Sequence, residues 1–366
     1  MPRPHLRAPS LLPLLLPLLV ALLTALFAGL ARAEPPAMKE HQHHPRLEVA
    51  SKDGRYSVAV GGFLQARYGA AFTADALESS RFGVPRTRLY VFGRLFSRDL
   101  RYRLMLGTAP YETDVQLYDA YVEWWARPWA RLRGGLFKVP VLREWVESAR
   151  LLGSVERSAS TQLLVPGRHP GAMLSGGLAG DAVEYWFGVF GGAGRPTPEP
   201  GVLPVVAGRL VWNTTQRTIE GEIDLKRSPL ALSLGASGYA AFKPLDRRRT
   251  REWLVAAELA LRVRGLDAAV EAAYRERDEP TTRERIAAGY ARANYFVAPA
   301  RTAFGVRATQ IVGLDDPTRT RTDLDLDITA LLDGHDLKLQ LGGGPAYLPA
   351  HHAWEGLVQV QVQAAF

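Results

Sequence analysis

Apolar and polar residues alternate along the chain with a period of two from residue 56 onward. In 354–366, Val358, Val360 and Val362 alternate with glutamines, and the segments 251–264 and 321–332 show the same pattern. This period is the mark of β-strands that have one apolar and one polar face. A soluble β-sandwich alternates in the same way, so the pattern alone does not choose between a soluble and a membrane protein.

The number and the spacing of the strands make that choice. We predict sixteen strands, an even number such as closed bacterial barrels have. They lie at 56–72, 84–97, 100–109, 114–126, 129–138, 168–179, 181–193, 202–213, 229–241, 251–264, 266–278, 283–298, 300–312, 321–332, 335–344 and 354–366. Every second connection is a loop, namely 73–83, 110–113, 139–167, 194–201, 242–250, 279–282, 313–320 and 345–353.

The remaining connections are tight turns, with 214–228 as the one exception. Loops at one end and tight turns at the other are typical of an outer-membrane barrel. We therefore predict an all-β fold, a transmembrane antiparallel β-barrel of about 16 strands, in residues 56–366. A barrel of that size encloses a water-filled channel, so its apolar face meets lipid and its polar face lines the interior.

The first residues predict export. Arg3 and Arg7 precede an apolar run from Leu11 to Leu30, and the small residues of 31–33 end it. This is the pattern of a secretory signal peptide, 1–33, with cleavage near Ala33; the alternative is an uncleaved membrane anchor. Residues 34–55 then form a periplasmic lead-in, and the predicted location is the bacterial cell outer membrane.

Composition removes several kinds of chemistry. The chain has no cysteine, which excludes disulfides and thiolate chemistry. Its formal net charge of +8 is scattered rather than clustered, which favours anionic solutes or lipids over nucleic acid. The histidines at 41, 43 and 44 fit a solvated cluster better than a metal site, so we expect neither metal nor cofactor. Neither a nucleophile elbow nor a metalloprotease helix occurs, so an enzyme is not expected.

Charges on the predicted lumen face are divided between the two halves of the chain. A basic wall on the early strands consists of Arg67, Arg86, Arg88, Arg94, Arg101, Arg103, Arg131 and Arg133. An acidic wall on the later strands consists of Glu252, Glu258, Asp267, Glu271, Asp323, Asp325 and Asp327. Such walls would set a transverse field across a water-filled channel and sort small ions. Alternatively, the charges pair across the lumen and only hold the barrel open.

The loop 139–167 is the longest connection and the candidate constriction. It carries Arg143, Arg150 and Arg157, with Lys138 at its entrance and Arg168 at its exit. Long loops in compact folds are usually functional. Folded inward, this loop would narrow the pore and present the cations that anion pores use; folded outward, it would be a surface loop.

Several motifs resemble the phosphate-selective porin O and P family. They are the segments 51–54, 61–65, 86–89, 119–122, 135–140, 156–158, 166–168, 207–210 and 234–237, together with the terminal Phe366. The resemblance implies a homotrimer of sixteen-stranded barrels and an inward-folded loop with Lys138, Arg157 and Arg168 at the constriction. It also implies recognition of Phe366 by the barrel-assembly machinery. The chain differs from the family in having few lysines and in having Ala364 where an aromatic is common.

The function predicted from these features is passive diffusion. We expect an outer-membrane porin that passes small solutes and prefers anions such as phosphate or polyphosphate. The alternatives are a general non-selective porin and a plugged structural or adhesive barrel.

Overall fold

The computed structural model describes residues 47–366 apart from 75, 109–113, 192–204, 216–218, 246–247 and 280, and it leaves the side chains of 242–250 undescribed. The predicted signal peptide and the part of the lead-in that holds the three histidines lie outside the described residues. In the part of the chain that is described, no helix is long and apolar enough to cross a membrane.

Seventeen strands form one antiparallel sheet in the described residues. They are β1 (Leu47–Ala50), β2 (Ser57–Thr73), β3 (Leu77–Arg94), β4 (Leu100–Thr108), β5 (Val115–Arg127), β6 (Ala130–Lys138), β7 (Arg168–Leu178), β8 (Val183–Phe190), β9 (Val205–Asn213), β10 (Ala231–Leu245), β11 (Arg248–Val263), β12 (Leu266–Asp278), β13 (Arg283–Val297), β14 (Thr302–Gly313), β15 (Arg321–His335), β16 (Leu337–Leu348) and β17 (Ala353–Ala365). Two short helices, α1 (Arg143–Val146) and α2 (Ala159–Leu164), interrupt the connection between β6 and β7.

Strands β2 to β17 close into a barrel of sixteen strands, as predicted. Each pairs with its neighbours in the chain, and β17 pairs back onto β2 from Glu355↔Thr73 to Ala365↔Phe63. The backbones of Phe366 and Gly62 exchange two hydrogen bonds of 3.0 Å at the end of this seam. The added strand β1 pairs with Ser57–Val60 of β2, just beyond the end of β17, so residues 47–50 of the predicted lead-in belong to the sheet.

The two faces of the barrel are inverted relative to a soluble protein. In β17, Val358, Val360 and Val362 are between 39 and 48 % exposed on the outside. The glutamines between them point inward, and Gln361 and Gln363 are at most 1 % exposed. A continuous apolar outer surface suits hydrocarbon, and the closed sheet leaves no unpaired edge.

The connections differ from the prediction mostly at the loop end; at the turn end, the predicted turn at 333–334 lies within β15 and residue 336 makes the connection. At the turn end they are 95–99, 128–129, 179–182, 214–230, 264–265, 298–301 and 336; at the loop end they are 74–76, 109–114, 139–167, 191–204, 246–247, 279–282, 314–320 and 349–352. The predicted loops 73–83, 242–250 and 345–353 are wrong in length, because strand pairing continues beyond the segments in which the alternation is obvious.

Candidate functional site

The segment 139–167 lies against the inner face of the barrel. The Lys338 ammonium on β16 donates a hydrogen bond of 2.6 Å to the carbonyl of Leu152, and the Thr329 hydroxyl on β15 donates one of 2.8 Å to the carbonyl of Gly153. The backbone N–H of Val155 donates to a carboxylate oxygen of Asp327 at 3.2 Å. Strands β15 and β16 thus satisfy backbone groups that a buried loop would otherwise leave unpaired.

Apolar contacts explain why this segment turns inward. Val139, Val141 and Leu142 are at most 1 % exposed and pack in one cluster with inner-face residues that include Leu254 and Ile286. The inner face of β11 to β14 is therefore not uniformly polar, contrary to the sequence prediction. Burying one aliphatic side chain contributes about 1.5–3 kcal/mol, so the patch strongly favours the inward position.

Glu156 anchors the middle of the segment to β2 and β3. Its carboxylate forms ion pairs with Arg67, at 3.2 Å, and with Arg86. Burial by itself would raise the pKa of the Glu156 carboxyl, but the charges of Arg86 and Arg67 outweigh burial and lower that pKa to about 2. Glu156 is therefore ionised at any ordinary pH.

Glu144 makes a second anchor, on β14. It is paired with Arg307 at 3.1 Å and accepts hydrogen bonds from the backbone N–H and the hydroxyl of Ser158, the latter at 2.6 Å. The side chain of Glu144 is 0 % exposed and that of Arg307 6 %. Buried charges need such partners, because taking them out of water is costly.

A cavity of about 750 Å³ remains in the other half of the barrel, beside strands β3 to β9. Among the described residues, its lining contains eight arginines and one lysine against four acids. The cations are Arg86, Arg88, Arg103, Arg133, Lys138, Arg143, Arg157, Arg168 and Arg209, and the acids are Asp119, Glu147, Glu184 and Glu220. Three of these cations pair with acids behind the lining, namely Arg86 with Glu156, Arg133 with Glu123 and Arg209 with Glu258. The positive charge that remains in a narrow space concentrates anions.

Aromatic rings hold several of these guanidinium groups. The distances from guanidinium carbon to ring centroid are 3.7 Å for Arg88 over Tyr118, 4.7 Å for Arg103 over Tyr90 and 4.3 Å for Arg133 over Tyr121. Stacking on a ring face orients a cation without cancelling its charge. Arg133 also pairs with Glu123 at 2.7 Å, whereas the Nε of Arg103 has no hydrogen-bond partner.

Trp145 of α1 gathers three cations that the sequence resemblance placed together. The Nζ of Lys138 lies 4.9 Å from the indole centroid, and the guanidinium carbons of Arg157 and Arg168 each lie 5.5 Å from it. The indole Nε1 is buried and has no hydrogen-bond partner. Sequence reasoning missed Trp145, although an aromatic residue amid the charges of the long loop was visible in the sequence.

The five candidate constriction residues do not all face the cavity. Lys138, Arg143, Arg157 and Arg168 line it, whereas Arg150 is paired with Asp336 at the turn end and does not. Lys138 donates hydrogen bonds to the carbonyls of Trp145, Val146 and Glu147, at 2.6, 3.3 and 2.9 Å. Arg157 donates to the carbonyls of Glu144 and Glu147, at 2.9 and 2.8 Å, and Arg168 pairs with Asp119 at 2.8 Å. Several of these cations thus hold the segment in place.

The basic wall is divided in the same way. Arg86, Arg88, Arg103 and Arg133 line the cavity. Arg67 instead bonds to Glu156 and to Gln361 of β17, and Arg94, Arg101 and Arg131 flank turn-end connections outside the cavity lining. The guanidinium groups of Arg101 and Arg131 lie 3.5 and 4.2 Å from the Trp125 ring.

The acidic wall does not face the basic wall across open water. Its residues bond to arginines of the later strands or to the long segment: Glu252 to Arg277, Glu258 to Arg209, Asp267 to Arg262 and Arg292, Glu271 to the backbone N–H of Arg143, Asp323 to Arg321, Asp325 to Arg307, and Asp327 to the backbone N–H of Val155. The predicted field between two opposed walls needs correction, because the later strands also supply arginines that neutralise these acids.

The chain is similar to known proteins in its structure. No protein-family model and no curated protein matches the chain. The anion-selective porin from Comamonas acidovorans matches with a TM-score of 0.61 at 12 % identity, over 85 % of this chain and 100 % of that one. The outer membrane channel DcaP of Acinetobacter baumannii matches with a TM-score of 0.61 at 13 % identity, over 87 % and 99 %. The barrel has the fold of outer-membrane porins.

A third match is OmpT, an outer membrane protein of Vibrio cholerae, in its trimer form. Its TM-score is 0.55 at 11 % identity, over 84 % of this chain and 99 % of that one. At such identities the likeness concerns the fold alone. Membership of the phosphate-selective porin O and P family is therefore not established by these matches.

Proposed function

We propose that the protein is a passive channel of the bacterial outer membrane that passes small solutes and prefers anions, oxyanions such as phosphate and polyphosphate among them. The proposal rests on the cavity beside β3 to β9, whose lining is rich in arginine and poor in acids. Rings of Arg or Lys are what anion-selective pores use. The segment 139–167 is the constriction in this proposal, because its residues supply one side of that cavity.

Arginine suits oxyanions in particular. A guanidinium offers a rigid fork of donors that matches two oxygens at once. Arg88 and Arg103 are candidates for transient contacts, because neither has a carboxylate at hydrogen-bonding distance; Asp119 is 3.8 Å from Arg103. Arg88 uses one of its nitrogens for the carbonyls of Thr87 and Thr108, and tyrosine rings orient both guanidinium groups. Conduction needs sites weak enough to release the ion, and several such arginines in one cavity allow transfer between neighbouring sites.

A planar-bilayer measurement tests the anion preference. Under a potassium chloride gradient, the reversal potential of purified protein should be displaced toward the anion equilibrium. Replacing chloride by phosphate should preserve current, and adding phosphate to the potassium chloride solution should lower chloride conductance by competition. A potential displaced toward the cation equilibrium would refute the proposal, and a complete absence of current would favour the plugged barrel.

A general, non-selective porin is the second candidate. It is favoured by the hydrogen bonds that Lys138 and Arg157 donate to backbone carbonyls, because these two side chains then have fewer donors free to bind a solute. Equal passage of neutral sugars and of phosphate esters of the same size in a liposome-swelling assay would support this candidate over the first.

We also propose a homotrimer that is inserted by the barrel-assembly machinery after cleavage of the signal peptide near Ala33. The trimer form of the Vibrio cholerae structure with the same fold supports the first part. The terminal Phe366 is 53 % exposed at the seam and is therefore accessible for recognition. Native mass, N-terminal sequencing of the mature protein and the yield of a variant lacking Phe366 test the three parts separately.

A further inference from the structure

The connection between β9 and β10 is the long exception among the turns, and part of it enters the barrel. We name residues 219–228 the turn-side segment. In it, Ile219, Glu222, Ile223, Asp224 and Leu225 are between 1 and 6 % exposed. A connection that only joined two strands would need two or three residues and would stay at the rim.

Apolar side chains fix the turn-side segment to the inner face. Ile223 and Leu225 pack with Phe296 and Leu331, near the turns that follow β13 and β15. Ile219 joins a separate cluster on β10 to β13. The segment is thus anchored on the same half of the barrel that receives the segment 139–167.

The turn-side segment and the segment 139–167 bond directly to each other, with backbone N–H groups as the donors. The N–H of Glu222 donates to the carbonyl of Leu151 at 3.2 Å, and the N–H of Gly153 donates to the Glu222 carboxylate at 2.7 Å. The N–H of Gly221 donates to the Glu147 carboxylate at 2.7 Å. These reciprocal bonds make the two inner segments one structural unit.

Glu222 is the central residue of this contact. Its carboxylate lies 3.3 Å from the Arg292 guanidinium, and both side chains are 2 % exposed. Arg292 is also paired with Asp267 of β12, at 2.6 Å. Glu222 therefore links the strands to the N–H groups of Gly153 and Ser154, and its loss would leave the buried Arg292 with one carboxylate partner fewer.

Residues of the turn-side segment reach the cavity as well. Ile219 and Glu220 belong to its lining, beside Arg143 and Glu147 of the other segment. Arg143 donates a hydrogen bond of 2.5 Å to the carbonyl of Ile219, so the position of a cavity cation depends on this segment. One side of the cavity is thus built by chain that enters from both ends of the barrel.

We propose that the turn-side segment is a second narrowing element of the channel, inserted from the turn end, and that Glu222 is the positioning residue that holds residues 147–154 against it. This inference rests on the proposed channel function. The width and the anion preference of the channel are then set by two segments, and the long loop alone does not determine them.

Two matched variants test the role of Glu222. Glu222→Gln removes the charge that faces Arg292 and weakens the bond to Gly153. Glu276→Gln is the same substitution at a partly buried acid of β12 that pairs with Arg283 and belongs neither to an inner segment nor to the cavity lining. In planar bilayers, Glu222→Gln should raise open-channel current noise and shift the reversal potential toward zero. Glu276→Gln should keep the wild-type noise and potential.

A disulfide keeps the test decisive if Glu222→Gln assembles poorly. A Cβ built on Gly221 lies 3.7 Å from the Cβ of Leu151, within the range that a disulfide spans. The chain has no other cysteine, so Leu151→Cys with Gly221→Cys can form only this bridge within one chain. Gly221 has a φ of +76, a backbone conformation that cysteine rarely adopts, so the reduced double variant is the reference.

Oxidation of the double variant should lower current noise relative to its reduced form and leave the anion preference intact. A bridge that forms and leaves the current noise unchanged, or Glu222→Gln behaving like Glu276→Gln, would overturn the inference. Those results differ from failure of the proposed function, in which the wild-type protein itself passes no current or prefers cations.

Discussion

The two halves of the barrel differ in what surrounds their arginines. On β10 to β17 and β2, arginines such as Arg292 and Arg307 are at most 6 % exposed in their side chains and pair with carboxylates. On β3 to β6, Arg88, Arg103 and Arg133 stack on tyrosine rings and line the cavity. The first half is filled by the two inner segments, and the second half is open.

The difference shows that surroundings determine what a lumen arginine does. Where backbone covers the guanidinium, its charge must be compensated by an acid, and the pair becomes part of the packing. Beside the cavity, a tyrosine ring holds the guanidinium together with other groups, namely two carbonyls at Arg88, Glu123 at Arg133 and the more distant Asp119 at Arg103. A ring orients a guanidinium without cancelling its charge. A count of the charges on the lumen face therefore predicts selectivity only if the charges covered by the inner segments are left out.

Replacing a covered arginine should have the largest effect. Arg307→Ala leaves Glu144 buried without its cation and should cost about 3–5 kcal/mol in docking of the segment 139–167. Hydrogen exchange of that segment should accelerate strongly. Arg285→Ala, at an exposed pair with Asp315 on the loop end, is the matched control. If hydrogen exchange of the segment 139–167 were unchanged in Arg307→Ala, the contrast between the two halves of the barrel would be wrong.

Replacing open arginines should change selectivity more than stability. In Arg88→Gln with Arg103→Gln, each lost ring contact removes only about 0.5–2 kcal/mol, while the cavity loses two cations. The reversal potential should move toward zero, and thermal unfolding should change less than in Arg307→Ala. Wild-type selectivity in this double variant would show that these residues do not set the field.

Added salt should weaken the anion preference, which depends on the cavity beside β3 to β9, and should leave the docking of the segment 139–167 unchanged. The Debye length falls from about 30 Å at 0.01 M to about 3 Å at 1 M salt, so the anion preference should decline across that range. Covered pairs are screened much less, and hydrogen exchange of the segment 139–167 should stay nearly constant. Parallel loss of both properties would contradict the division of the barrel.

Lowering the pH should weaken the docking of the segment 139–167, and this effect should be smaller than those of the substitutions above. The pKa of the Glu156 carboxyl is lowered from 4.5 to about 2, so its ionised form stabilises the docked segment fully above pH 4.5. That contribution is lost as the pH falls through 4.5 toward about 2. Current noise should therefore rise only in this acidic window, and Glu156→Gln should remove that part of the pH dependence. A transition near pH 6 that persists in Glu156→Gln would point to other groups.

Much of the fold was predictable because strand period and strand pairing are local properties. The alternation of Val358, Val360 and Val362 with glutamines placed each residue on the correct face. The loop ends were less accurate, since pairing between β10 and β11 continues to Leu245↔Arg248 in a region without clear alternation. The docking patch around Leu254 and Ile286 was also missed, because apolar residues at lumen positions look like noise in a period-two pattern.

The candidate site was only partly predictable. Lys138, Arg157 and Arg168 were grouped by family resemblance, and all three lie near Trp145. Arg150 was misplaced, because its partner Asp336 is 186 positions away along the chain and no sequence pattern links the two. The unusual length of 214–228 was noticed, but its inward course depends on contacts with β13 and β15 that sequence spacing does not encode.

The sequence by itself determined the closed barrel, its sixteen strands and its apolar exterior, since each follows from alternation between neighbouring residues and from strand count. Tertiary structure alone decided which half of the lumen is filled and which arginines keep an uncompensated charge. The physical reason is that burial and ion pairing depend on distances between residues far apart in the chain, and only the folded chain sets those distances.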